Sequence, residues 1–190
     1  MYQHVRRTQL QYDVAKVLRE RSDLDSFIVV LHGVAGCGKT SLAAAVLAEV
    51  PDLLGGDDNT SDPPKLDDVP SVYLRKQIRE ALVDNPNVLV VVDDVVQEET
   101  VKWVNQLGLR VLATSRNAEL FTSASCSVDI VHVDGFTSAE ATELFSVDGT
   151  PLKGKEEEIQ SAISAAFAVS SGNVALLNML RKAASGRADR

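Results

Sequence analysis

The sequence predicts an α/β fold: a parallel sheet of about four strands flanked by helices, followed by a small helical subdomain. Three observations carry that expectation. Short apolar runs alternate with segments of helical periodicity up to residue 135. One run is joined to one helix by Gly33-Val34-Ala35-Gly36-Cys37-Gly38-Lys39-Thr40, which fits Gly-x4-Gly-Lys-[Ser/Thr]. From Thr137 onward the pattern is helical only. The expected division is therefore an α/β domain over 1–135 and a helical subdomain over 136–190.

In chain order, Leu10, Val14, Val17 and Leu18 predict a helix over about 8–21. Ser22-Asp23-Leu24-Asp25-Ser26 is a polar turn, and Phe27-Ile28-Val29-Val30-Leu31 reads as a central strand buried on both faces. A helix follows from Lys39 to about Val50, where Pro51 cannot continue it. Residues 51–70 form an acidic loop with Pro51, Gly55-Gly56, Pro63-Pro64 and Pro70. Its length without regular structure is unusual inside a domain. Val72, Leu74, Ile78, Leu82 and Val83 predict an amphipathic helix, and Val88–Val92 a strand ending in Asp93 and Asp94. Glu98–Leu107 is helical, Leu109–Thr114 a buried strand, and Ile130–Val133 the last strand. Thr137 and Glu140 have capping-box spacing, and two further helices are expected over 155–169 and 173–184.

Bulk properties narrow the function. The 190 residues suffice for one α/β domain with a small appendage. A formal charge of −8 argues against nonspecific nucleic-acid binding, which needs a basic face to replace counterions. No apolar run approaches the roughly 20 residues of a membrane helix, and the N-terminus lacks a signal-peptide core. Two cysteines make no disulfide framework, so a reducing, cytoplasmic setting is expected. His4, His32 and His132 stand apart in sequence, without metal-ligand spacing.

The chemistry centres on the glycine-rich loop. Glycines let several backbone N–H groups converge on phosphates, and the following helix start favours an anion. Lys39 supplies a compact positive charge, and Thr40 a hydroxyl for Mg²⁺. Asp93, at a strand's C-terminal edge beside that loop, suits a Mg²⁺ shell. Asp94 could polarise water as a catalytic acid–base group, or cap the next helix. Arg116, just past the hydroxyl pair Thr114-Ser115, could sense a γ-phosphate or simply face solvent.

Together these motifs resemble the NB-ARC domain, the nucleotide switch of apoptotic protease-activating factors and plant immune receptors within the STAND class of P-loop NTPases. Leu31-His32-Gly33 through Lys39, Asp93 through Thr100, Leu112 through Arg116, Glu156–Ile159 and Ser170-Ser171-Gly172-Asn173 carry the likeness. They are most similar to the nematode apoptosome-scaffold branch. The resemblance implies ATP or ADP with Mg²⁺ as ligand. Val5 and Arg7 would pack on adenine and ribose. Gly36, Cys37, Gly38, Lys39, Thr40 and Ser41 would hold phosphates, Thr40 and Asp93 would hold Mg²⁺, and Arg116 would read the γ-phosphate. Val174 falls where the family places a proline against the base, so the contact becomes merely apolar.

Two further departures stand out. The Val50–Val72 segment is too short for the strand and helix the family carries there, which would leave the Val88–Asp93 strand as a bare edge. A skipped exon, a faulty gene model or an engineered deletion would each produce this. The chain also ends after the first helical subdomain, so neither an ADP-holding winged-helix histidine nor a caspase-recruiting death-fold domain is expected. The resemblance implies homo-oligomeric apoptosome subunits as partners, and a caspase or antiapoptotic regulator. The favoured expectation is a nucleotide-dependent assembly module. The alternatives are a slow P-loop ATPase acting through Asp94, and a degenerate fragment that works by protein–protein association alone.

Overall fold

A computed structural model describes residues 5–49, 76, 78, 80, 88–146 and 155–186. The expected acidic loop over 51–70, and most of the helix expected from Val72, lie outside the described residues. The elements run in the order α1 (Thr8–Glu20), β1 (Phe27–His32), α2 (Lys39–Glu49), β2 (Leu89–Val95), α3 (Glu98–Asn105), β3 (Arg110–Ser115), a 3-10 turn (Ala118–Ser123), β4 (Ser127–His132), α4 (Ser138–Ser146), α5 (Glu156–Ser170) and α6 (Val174–Gly186).

The four strands form one parallel sheet in the order β2-β3-β1-β4. β1 is central, and its side chains alternate between two apolar layers, as a strand covered on both faces requires. Phe27, Val29 and Leu31 join Val14, Leu18, Leu42 and Val46 from α1 and α2 on one face. Ile28 and Val30 join Val101, Val104, Val111 and Phe121 on the other. Helix α1 presents Gln11, Val14, Ala15 and Leu18 to the core, a single stripe at helical spacing. Its end is tied to the sheet by Arg21, which donates from Nε and Nη2 to the Asp129 carboxylate at 2.8 and 3.0 Å. This pairing raises the Arg21 pKa above its ordinary value.

β2 is the edge strand on the β3 side, and among the described residues it pairs with β3 alone. Unlike β1 it is only partly covered, with Val91 42% exposed despite its apolar sequence. Its register with β3 breaks between Val92 and Val95, at the two aspartates.

The helices after β4 enclose their own small core of Phe136, Ala141, Leu144 and Leu177, which also takes in Val5 from the N-terminal segment. The capping box expected at α4 forms. Glu140 accepts from the Thr137 N–H at 2.7 Å, and Thr137 Oγ1 accepts from the Glu140 N–H at 3.2 Å. Gly172 (φ 76°) ends the α5–α6 turn and accepts from the Phe136 N–H at 2.7 Å. A Cβ at Gly172 would run into the Phe136 carbonyl, so the turn packs there only without a side chain. No helix among the described residues is long and apolar enough to cross a membrane.

Candidate functional site

A cleft of about 430 Å³ opens at the C-terminal ends of β2 and β3, where α/β folds place ligands. Its walls come from four places in the sequence. Ala35, Gly36, Gly38, Lys39, Thr40 and Ser41 form the loop and first turn of α2, while Asp93 and Asp94 close β2. Thr114 and Arg116 follow from the end of β3, and Val174, Ala175 and Asn178 from one face of α6.

The loop adopts the shape its glycines allow. Gly36 and Gly38 have φ of 78° and 97°, a region that side chains disfavour. Lys39 is 7% exposed, and its ammonium donates to the carbonyls of Gly33 and Val34 at 2.8 and 2.9 Å. Its charge is therefore held over the loop by neutral acceptors, which an anionic oxygen would outcompete. Cys37 lies beneath this arrangement, fully buried, with Sγ 3.8 Å from the Lys39 ammonium. It packs the loop from below and is absent from the cleft walls.

Opposite the loop, Thr40 Oγ1 donates to both Asp93 oxygens at 2.9 and 3.1 Å. Thr114 Oγ1 also donates to Asp93, and accepts the Asp94 N–H at 2.8 Å. Two hydroxyls and a carboxylate are hard oxygen donors of the kind Mg²⁺ selects, so this cluster fits such an ion. Asp94 sits in the left-handed region (φ 52°), and its carboxylate meets Arg116 Nη2 at 3.4 Å, with both side chains about half exposed. The expectation that Asp94 might cap the next helix is corrected: Gln97 occupies that position, three residues further on. The bulge at the aspartates turns Asp94 toward the cleft instead.

The helical part is fastened to the loop itself. The Ala175 N–H, in the first turn of α6, donates to the Gly36 carbonyl at 3.0 Å. Asn173 Nδ2 donates to the Ala35 carbonyl at 2.8 Å, while its Oδ1 accepts from the Leu176 N–H at 3.2 Å. With carbonyls 35 and 36 held from outside, the loop's peptide planes are pinned by α6.

Of the predicted residues, Gly36, Gly38, Lys39, Thr40, Ser41, Asp93, Asp94, Arg116 and Val174 converge on the cleft. Val5 and Arg7 are not brought to its walls. Val5 is buried among Phe136, Leu144 and Leu177. Arg7 clasps the strand-to-helix junction, donating to Glu140 Oε1 at 3.1 Å, the Asp134 carbonyl at 2.9 Å and the Gly135 carbonyl at 3.2 Å. Its guanidinium also stacks 5.6 Å from the Phe136 ring centre. Sequence reasoning noted Thr114 in the hydroxyl pair before Arg116 but not as a partner of Asp93, and missed Asn173, Ala175 and Asn178 as site residues. Asn178 was within reach, being four residues, one helical turn, beyond Val174.

Comparison with known proteins bears on the family and the fold. Residues 56–154, just over half of the chain, match the NB-ARC domain family. The chain is 33% identical over 200 residues to cell death protein 4 of Caenorhabditis elegans, covering 89% of this chain and 36% of the relative. It is 29% identical to cell death protein 4 of Caenorhabditis briggsae, covering 89% of this chain and 39% of that protein. The chain thus spans little over a third of those relatives. Two solved structures share the fold. One is a STAND ATPase with a tetratricopeptide repeat sensor from Pyrococcus horikoshii (TM-score 0.53, 18% identity, 88% of this chain and 29% of that chain). The other is the ORC2 protein of Aeropyrum pernix, solved as ADPNP–ADP complexes (TM-score 0.61, 13% identity, 92% of this chain and 60% of that chain).

Proposed function

The chain belongs to the NB-ARC domain family, and from that premise we propose that it is a nucleotide-binding module of a cell-death regulator. ADP or ATP with Mg²⁺ occupies the cleft and fixes the helical part against the α/β part. The observation that carries this reading is the direct bond from α6 to the phosphate loop, Ala175 N–H to Gly36 carbonyl at 3.0 Å. A ligand that orders the loop must also bias where α6 sits, which is what a switch needs.

In this reading the N–H groups of the loop and the Lys39 ammonium bind the phosphates. Thr40 and Asp93 would hold Mg²⁺, which would supply compensation of the phosphate charge. Arg116, released from Asp94, is the residue with the charge and reach to respond to a third phosphate. Val174 offers an apolar contact to the base. Function arises from differential contacts in two nucleotide states rather than from turnover. The reading includes homo-oligomerisation with like subunits, engagement of a caspase or its regulator, and a cytoplasmic setting. The family membership and the resemblance to cell death protein 4 support these.

The test is nucleotide content. Protein purified without added nucleotide is denatured, and the supernatant is separated by chromatography. Stoichiometric ADP or ATP, lost in Lys39→Ala, is the expected result. A protein that carries none, and that ignores added Mg-ATP, overturns the reading.

A further inference from the structure

On the side of the phosphate loop away from Asp93, the ends of β1 and β4 bring two imidazoles together. His32 and His132, a hundred residues apart in sequence, are register partners across this parallel pair. Their Nδ1 atoms lie 3.3 Å apart, with ring centres at 5.3 Å and planes inclined by 48°. The other nitrogen of His132, Nε2, lies 3.0 Å from Asp134 Oδ1.

The protonation of this trio follows from its partners. A carboxylate only accepts, so a neutral His132 carries its proton on Nε2 and presents the lone pair of Nδ1 to His32. Two facing lone pairs at that distance repel unless something positive lies between them. A proton on His32 Nδ1 is one solution, and a metal ion is the other. Two nitrogens bound at 2.0–2.1 Å to a tetrahedral Zn²⁺ stand about 3.3–3.4 Å apart. The pair is therefore already at chelating separation. Asp134 occupies the place of the outer carboxylate that orients a metal-bound histidine and raises its basicity.

We propose that His32 and His132 chelate one divalent transition-metal ion of the Zn²⁺ class through their Nδ1 atoms, with Asp134 as the positioning residue. Imidazole selects Zn²⁺, Cu²⁺ or Ni²⁺ over Mg²⁺, so the site does not compete with the oxygen cluster at Asp93. Among the described residues no third histidine, cysteine or carboxylate joins the pair. Water fills the remaining positions, and with His132 59% exposed the ion is exchangeable rather than structural. Because the Val133 N–H donates to the His32 carbonyl at 2.7 Å, a bound ion clamps β4 to β1 where the phosphate loop begins.

The test is Zn²⁺ titration into the untagged, nucleotide-free full chain by isothermal calorimetry, with electron paramagnetic resonance of the Cu²⁺ form. One ion per chain is expected, with copper hyperfine structure from two nitrogens. His132→Ala and His32→Gln should each abolish that binding, and Asp134→Ala should weaken it about tenfold or more. His132→Ala, exposed and outside the cleft, should leave Mg-ADP affinity unaltered. Absence of saturable Zn²⁺ binding overturns the proposal. So does binding that survives intact in both histidine variants, which would assign the ion to other side chains.

Discussion

Gly36→Ala is the sharpest probe of how the phosphate loop and the helical part are joined. Gly36 has φ 78°, and a left-handed residue bearing a Cβ costs about 1–2 kcal/mol. The new Cβ would also stand 2.7 Å from Asn173 Oδ1 and 3.0 Å from Ala175 Cβ. Asn173 must move, giving up its 2.8 Å bond to the Ala35 carbonyl, a loss of about 0.5–1.5 kcal/mol. The two terms predict a destabilisation of about 1.5–3.5 kcal/mol. The Asn173→Ala background removes both the obstacle and the bond, so there Gly36→Ala should cost about 1 kcal/mol less than in the parent. Urea denaturation of the four nucleotide-free proteins measures this coupling from their midpoints. Strict additivity would refute the claim that the loop and α6 meet through Asn173.

Other expectations bear on the cleft and the surface. Arg116→Ala should weaken ATP more than ADP, because only ATP presents a γ-phosphate; equal losses by calorimetry would reduce Arg116 to a partner of Asp94. Val174→Pro should tighten nucleotide by restoring a rigid apolar contact at the first residue of α6, where proline sacrifices no intrahelical bond; unchanged affinity counts against that placement. Lys102, donating to Glu98 one helical turn away, holds the Glu98 carboxyl below its ordinary value. Stability from this pair is present above the ordinary carboxylate range and is lost as pH falls through the depressed value. Glu98→Gln should therefore lower the melting temperature slightly near neutrality and not in strong acid; a gap that persists in acid refutes it. Burial pushes the Cys126 thiol up, so its alkylation should be slow at neutral pH and quicken in alkali, by mass spectrometry.

Local chemistry made much of this molecule legible in its sequence. The loop motif, the apolar runs of β1 and β3, and the Thr137–Glu140 box each encode their structure within a few residues, and each forms. What escaped depends on distant parts meeting. Asn173 reaches Ala35 across 138 residues, and no local pattern marks an asparagine in a turn for that contact. Thr114 reads as half of a hydroxyl pair beside Arg116, and its bond to Asp93 emerges only once β3 is inserted between β1 and β2. Asp94 had two local readings, and the bulge before Val95 decided between them. His32 and His132 read as isolated because strand register, not spacing, unites them.

The strand order β2-β3-β1-β4 also has a consequence for how the protein is made. The phosphate loop leaves the ribosome before its partners, and Asp93 cannot meet Thr40 in place until β3 has been synthesised and slotted between β1 and β2. Val174 and Asn178, the last wall of the cleft, come later still. Between the emergence of Lys39 and that of Asn178, the nascent chain carries a loop whose pocket is incomplete. Nucleotide can stabilise only the assembled cleft, by mass action on the folded state, and cannot template the loop before β3 and α6 are in place.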